Sequence, residues 1–113
     1  MKIKFQATIN NLSLKANGEY RVCFQSPLLE ISKAISMVRL LSVDFMVGIL
    51  SENGTKAIIT KAYFYKLAID REGESKVMIS FPLESITDNS LAFFGRHQEE
   101  VVNVIIKNNE EGG

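Results

Sequence analysis

From Lys2 onward the chain alternates polar and apolar residues, with Ile3, Phe5, Ala7 and Ile9 on one face. That is the period-2 pattern of a half-buried strand. The phase then slips, because the next apolar residues are Leu12 and Leu14. A one-residue slip predicts a β-bulge near Asn10-Asn11, or two short strands. Asn17-Gly18 follows as a hairpin signal, suited to a type I′ turn with positive φ at both central residues. Tyr20, Val22 and Phe24 form one face of a second strand. Ser26-Pro27 has the chemistry of a helix start, serine as N-cap and proline at the first helical position. Leu28, Ile31, Ile35, Val38 and Leu41 recur at helical spacing with Ala34 on the same side, so this stripe is the expected buried face. The helix should end near Leu41-Ser42. Val43, Phe45, Val47 and Ile49 make a third strand, and Glu52-Asn53-Gly54-Thr55 another turn.

The pattern then starts again. With a shift of 55, residues 1–31 pair with 56–86, and nine of the 31 pairs are identical. Chance matching would be roughly 6–7% at ordinary composition. The identities include Gly18/Gly73 in the turns, Pro27/Pro82 at the helix starts, and the apolar pairs Ile3/Ile58, Ala7/Ala62, Leu12/Leu67 and Val22/Val77. The phase slip recurs between Phe64 and Leu67. After a two-residue insertion the shift becomes 57, and Phe45, Val47 and Ile49 meet Val102, Val104 and Ile106. The second helix is predicted from Leu83 to Gly95, with Leu83, Ile86 and Phe93 inward. The expectation is a single domain over 1–107, with repeats at 1–51 and 56–107 and a flexible tail at 108–113. Its fold class is α+β: a two-layer, tandem pseudo-twofold ββαβ repeat of about six strands, with two helices on one face of the sheet. The strands flanking each helix should run parallel through a right-handed crossover.

Composition narrows the function. Thirteen basic and thirteen acidic residues cancel in a chain of 113, which argues against bulk attraction to nucleic acid or anionic membrane. The lone Cys23 cannot close an internal disulfide, which fits a reducing compartment. The N-terminus shows no signal-peptide core, and no run approaches the ~18 apolar residues of a membrane span. A soluble cytoplasmic protein, with no membrane partner, is expected.

The outward face is less polar than a solvated face should be. By alternation it carries Cys23, Met78, Met46, Leu50, Val101 and Ile105, and the first helix has Leu29, Met37 and Leu40 off its main stripe. Either the sheet curls toward a barrel or these residues meet a partner. Leu29, Met37, Leu40, Met46 and Met78 are the candidate protein interface. Arg21, Lys61, Tyr63 and Lys76, with Tyr65 and Lys66 along the same fourth strand, are the candidate nucleic-acid patch, because cations interleaved with aromatics suit phosphates and bases. His97, the one histidine, follows the second helix and reads as an exposed loop or cap residue. Cys23 aligns with Met78, a packing substitution. The carboxylates are scattered, and there is no phosphate loop, dinucleotide motif or CxxC. No catalytic residue, metal site, cofactor or small-molecule substrate is expected.

The half-unit has an alternating strand, a turn with Asn17-Gly18 or Glu72-Gly73, a second strand, a Pro-Leu helix and a final strand. It resembles small uncharacterised phage and prophage proteins over the whole chain. At fold level, duplicated β-rich units with paired helices are also similar to one domain of a DNA sliding clamp. Clamp domains have more strands per repeat and basic helices facing DNA. Here Lys33, Arg39 and Arg96 are set against Glu30, Glu84 and Asp88. The resemblance to phage proteins implies a non-enzymatic accessory protein in the cytoplasm of a bacterial host. It would act by protein–protein interaction or self-assembly, including inhibition of a host complex. The alternative is a nucleic-acid-binding factor in phage replication or recombination.

Overall fold

Alternation yields a strand in each stretch where it was read, although Val43, expected inward at the start of the third strand, lies before that strand and is exposed. In this computed structural model, residues 2–27, 31–69 and 74–108 are described. The strands are β1 (Lys2–Leu14), β2 (Glu19–Pro27), β3 (Phe45–Ser51), β4 (Lys56–Ile69), β5 (Glu74–Pro82) and β6 (Val101–Lys107). The helices are α1 (Ile31–Arg39) and α2 (Asp88–Arg96), with a short 3-10 turn at Leu83–Ser85. The fold is α+β. Leu28, Leu29, the turn at 71–73 and the tail beyond 108 lie outside the described residues.

The sheet is not the open layer expected. It closes into a barrel in the order β1-β2-β5-β4-β3-β6, with β6 pairing back onto β1 and every neighbouring pair antiparallel. Closure leaves no edge strand with unpaired backbone groups. The inward residues Ile3, Phe5, Ala7, Ile9, Val22, Phe24, Val47, Ile49, Val77, Ile79, Val102, Val104 and Ile106 are all buried, in one core. The strands flanking each helix are not parallel neighbours: β2 sits between β1 and β5, and β3 between β4 and β6.

Nor do the helices share one face. Because β2 and β5 run antiparallel side by side, their C-terminal ends lie at opposite ends of the barrel. Each helix departs from one of those ends. Met37 and Leu40 of α1, and Phe93 and Phe94 of α2, join the strand residues in the core. The helices are therefore plugs, one at each mouth.

The helix starts also differ from expectation. Ser26-Pro27 and Pro82 end strands rather than begin helices. The Ser26 hydroxyl donates to the Gln6 carbonyl across the sheet at 2.7 Å. Helix α2 is capped instead by Thr87, whose side chain accepts from the Ser90 amide. Leu83, expected inward, is exposed in the 3-10 turn. On α1 the buried face is Ala34, Met37 and Leu40, with Met37 at 0% and Leu40 at 2% exposure. The expected inward residues Ile35, Val38 and Leu41 are instead 52%, 53% and 43% exposed. Met37 and Leu40 are consequently core residues and no part of an interface.

Both bulges stand where the phase slips, between Ile9 and Asn11 against β2 and between Phe64 and Lys66 against β5. A third slip, between Phe45 and Val47 on β3·β4, was missed. It turns Ala57 and Ile59 inward and leaves Ile58 exposed, although Ile58 aligns with buried Ile3. The hairpin at Asn17-Gly18 is not a two-residue turn. Lys15 and Glu19 pair, and the Gly18 amide donates to the Lys15 carbonyl. Only Gly18 has positive φ, at 87°. This is a three-residue loop ending in a left-handed glycine, and Ser51–Thr55 repeats it with Gly54 at 93°.

The helix face is testable by denaturation. Met37→Ala is expected to cost about 2–5 kcal/mol, as for a buried large-to-small change. Val38→Ser should cost within about 0.5 kcal/mol, as on a surface. The reverse ranking would restore the Ile35/Val38 face as the core.

Candidate functional site

The outer surface of β1, β2, β5 and β4 carries most of the singled-out polar residues, and strand register sets them in rows. Ser13, Arg21, Ser80 and Tyr63 lie across the four strands in one row. Asn11, Cys23, Met78 and Lys66 form the next, and Thr8, Gln25, Lys76 and Ala68 the one after. Arg21 and Lys76 thus share a face, two rows or about 13 Å apart along the strands.

The Arg21 side chain is held at both ends of its guanidinium. Its Nε donates to Ser80 Oγ at 3.2 Å, and its Cζ lies 3.6 Å from the centre of the Tyr65 ring. Among the described residues no carboxylate pairs with it. Tyr65 faces outward in phase with Tyr63, and the β4 bulge between Phe64 and Lys66 sets Lys66 on the outer face beside it. Beside it the Tyr63 hydroxyl donates to Glu19 at 2.6 Å. That hydrogen bond, with some burial, holds the Tyr63 proton above the usual phenol range. Lys61 is exposed and paired with Asp44 at 3.6 Å, on the β3 side of the face.

Between these groups lies a depression of about 240 Å³ lined by Asn11, Ser13, Lys15, Arg21, Val22, Cys23, Tyr65 and Met78. Cys23 and Met78 face each other as a cross-strand pair. Burial raises the Cys23 thiol above its ordinary range, although the positive charge of Lys76 and a hydrogen bond with Asn10 oppose the shift. A neutral thiol there packs rather than reacts.

The candidate nucleic-acid residues are thus largely brought together: Arg21, Tyr63 and Lys76 on one face, with Lys61 engaged toward its margin. Tyr65, singled out on the same strand as Tyr63, stands there too, whereas Lys15, Asn11 and Ser13 were missed, yet the bulges were a usable signal. A bulge puts two consecutive residues on the same side, here Asn10-Asn11 and Tyr65-Lys66. Of the candidate protein interface, Met78 is half-buried within the depression and Met46 half-buried on β3, on the far side of the barrel. Exposed apolar surface appears instead on α1, at Ile35, Val38 and Leu41, with Val43 just beyond.

His97 is the other departure. It caps α2 as its position implied, but it is buried. Its Nδ1 lies 2.8 Å from Glu100 Oε1 and its Nε2 3.4 Å from Thr55 Oγ1, with the ring packed on Phe93. Ser51, Asn53 and Thr55 complete the network through their side-chain oxygens. A hydroxyl, an imidazole and a carboxylate in line have the outline of a nucleophile triad. Two of the nearby amides are committed, however: Gly54 donates to the Ser51 carbonyl and Thr55 to Asn53 Oδ1. They offer nothing to a developing oxyanion. The network ties the β3–β4 hairpin to the end of α2. No group of three metal-ligating side chains occurs among the described residues, and no described helix is long and apolar enough to cross a membrane.

Compared with protein-family models, curated proteins and solved structures, the chain matches none.

Proposed function

We propose that this chain is a non-enzymatic accessory protein of the phage or mobile-element type, working in a bacterial cytoplasm by docking a partner protein. Inhibition of a host complex would be one outcome of such docking. The observation that carries this reading is the outer face of α1. Ile35, Val38 and Leu41 stand half-exposed at one mouth of a barrel into which Ala34, Met37 and Leu40 are buried, among the described residues. The other plug shows that the fold does not require an apolar outer face, since α2 exposes Asp88, Asn89, Ala92, Gly95 and Arg96. The mouth at α1 also carries Arg39 and the cross-strand pair Lys2 and Lys107, while the neighbouring carboxylate Asp44 is already paired with Lys61. Two copies meeting there would oppose like charges, so the occupant favoured is an apolar surface with an acidic rim.

Capture from host lysate by the intact chain and by Val38→Asp tests this. The expected result is a protein retained by the former, lost in the variant, and released by salt. Equal capture by both chains would refute the reading. A concentration-dependent dimer abolished by Val38→Asp would replace the acidic partner with a second copy.

A second reading is nucleic-acid binding on the β1–β2–β5–β4 face, favoured by the Arg21–Tyr65 stack and by Lys15, Lys66 and Lys76 on the same surface. Anisotropy with a labelled single strand should show affinity falling steeply with salt. No binding at about 20 mM salt, where phosphate contacts are strongest, would eliminate it.

We also infer that the two halves are copies of one ββαβ unit. Exchanging β1, β2 and β3 with β4, β5 and β6 leaves the strand order unchanged. The β2·β5 register centres on Cys23/Met78 and the β3·β6 register on Gly48/Ile105, the same shifts of 55 and 57 found in the sequence. A chain with residues 1–51 replaced by a second copy of 56–107 is expected to unfold cooperatively. A molten product would count against common ancestry of the halves.

A further inference from the structure

The depression on the outer face differs from an ordinary patch of surface lysines in three respects. First, its lining is chemically one-sided. Lys15 and Arg21 supply positive charge, Asn11 and Ser13 supply neutral donors, and no carboxylate lines it. Second, its principal cation is preorganised. The Ser80 hydroxyl and the Tyr65 ring fix the guanidinium plane, so little side-chain entropy remains to be lost on binding. With Nε engaged, the Nη donors carry no described partner. Third, the shape comes from two backbone irregularities. The β1 bulge sets Asn11 beside Cys23, and the β4 bulge leaves Tyr65 and Lys66 consecutive on the outer face. The hairpin end places Lys15, paired with Glu19, one row beyond Ser13.

A guanidinium lying on a tyrosine ring offers its other face as a stacking plane for a planar base. The charged and neutral donors beside it suit a phosphate. We propose that this depression is a nucleotide subsite: a phosphate held by Lys15, Ser13, Asn11 and the Nη edge of Arg21, with its base stacked over Arg21. The phosphate can belong to a free nucleotide or to a single-stranded nucleic acid. The proposal extends the nucleic-acid reading in the second case and stands apart from it in the first.

The test uses the full-length chain, with backbone amide chemical shifts followed during titration with AMP, with inorganic phosphate and with an unstructured 12-nucleotide single strand. The variants are Arg21→Gln, the pair Ser13→Ala/Lys15→Gln, and Lys76→Gln as an outer-face control beyond the depression. The Ser13/Lys15 pair leaves the Arg21–Tyr65–Ser80 contacts untouched, so it remains informative if Arg21→Gln unfolds. The expected result is saturable shifts centred on Asn11, Ser13 and Arg21. The affinity loss should be about tenfold for Arg21→Gln and for the pair, the scale of one stacked base, and smaller for Lys76→Gln. AMP binding at these amides without strand binding would keep the subsite and remove the nucleic-acid reading. Strand binding with no response at these amides would do the opposite. The subsite is also overturned if Lys76→Gln weakens binding as much as Arg21→Gln, or if no ligand shifts the depression.

Discussion

Pairing of β1 with both β2 and β6 is the constraint from which the other features follow. It closes the sheet, so every strand gives one face to a shared interior and the other to solvent. A closed interior must be filled along its whole length and stopped at both mouths. The strands fill it with aliphatic residues and phenylalanines, and the two helices stop it with Met37, Leu40, Phe93 and Phe94. Opening any one pairing would expose two edges and uncover this core. The bulges belong to the same account, since each bends its strand and raises its twist, as a small barrel requires.

Closure also frees the outside. Once the interior takes the apolar set, outward residues no longer bear on the core, and register alone decides which of them meet. Rows across β1, β2, β5 and β4 bring Ser13, Arg21, Ser80 and Tyr63 together from four separate segments. The same freedom lets the two mouths differ. At one, a polar helix face and the His97–Glu100–Thr55 network join helix, hairpin and strand. At the other, an apolar helix face is left half-exposed among cations. The dissimilarity matters because the plugs have similar duties inside the barrel.

Misassignment of the α1 face has a simple cause. Ala34, Met37 and Leu40 follow helical spacing just as Ile35, Val38 and Leu41 do. A helix apolar on two adjoining faces gives a periodicity with two solutions, and only the direction of its approach to the barrel mouth chooses between them. His97 was misread for a related reason: Glu100 is only three residues on, but Thr55 comes from the β3–β4 hairpin, and nothing local indicates burial. The outer-face site was half legible. Alternation placed Arg21, Lys76, Tyr63 and Tyr65 outward, but that the Tyr65 ring meets Arg21 depends on the order and register of β2, β5 and β4.

By itself the sequence determined the local periods: six strands, two helices, the two bulges at Ile9/Asn11 and Phe64/Lys66, and the inward residues of β1, β2, β5 and β6. These are properties of a few adjacent residues, set by which side chains cannot face water. Strand order, closure, placement of helices at opposite mouths and the Arg21–Tyr65 contact were decided only in three dimensions. The physical reason is that an apolar face is satisfied equally by an open layer covered with helices and by a barrel closed on itself. Only the joint filling of one interior distinguishes the two.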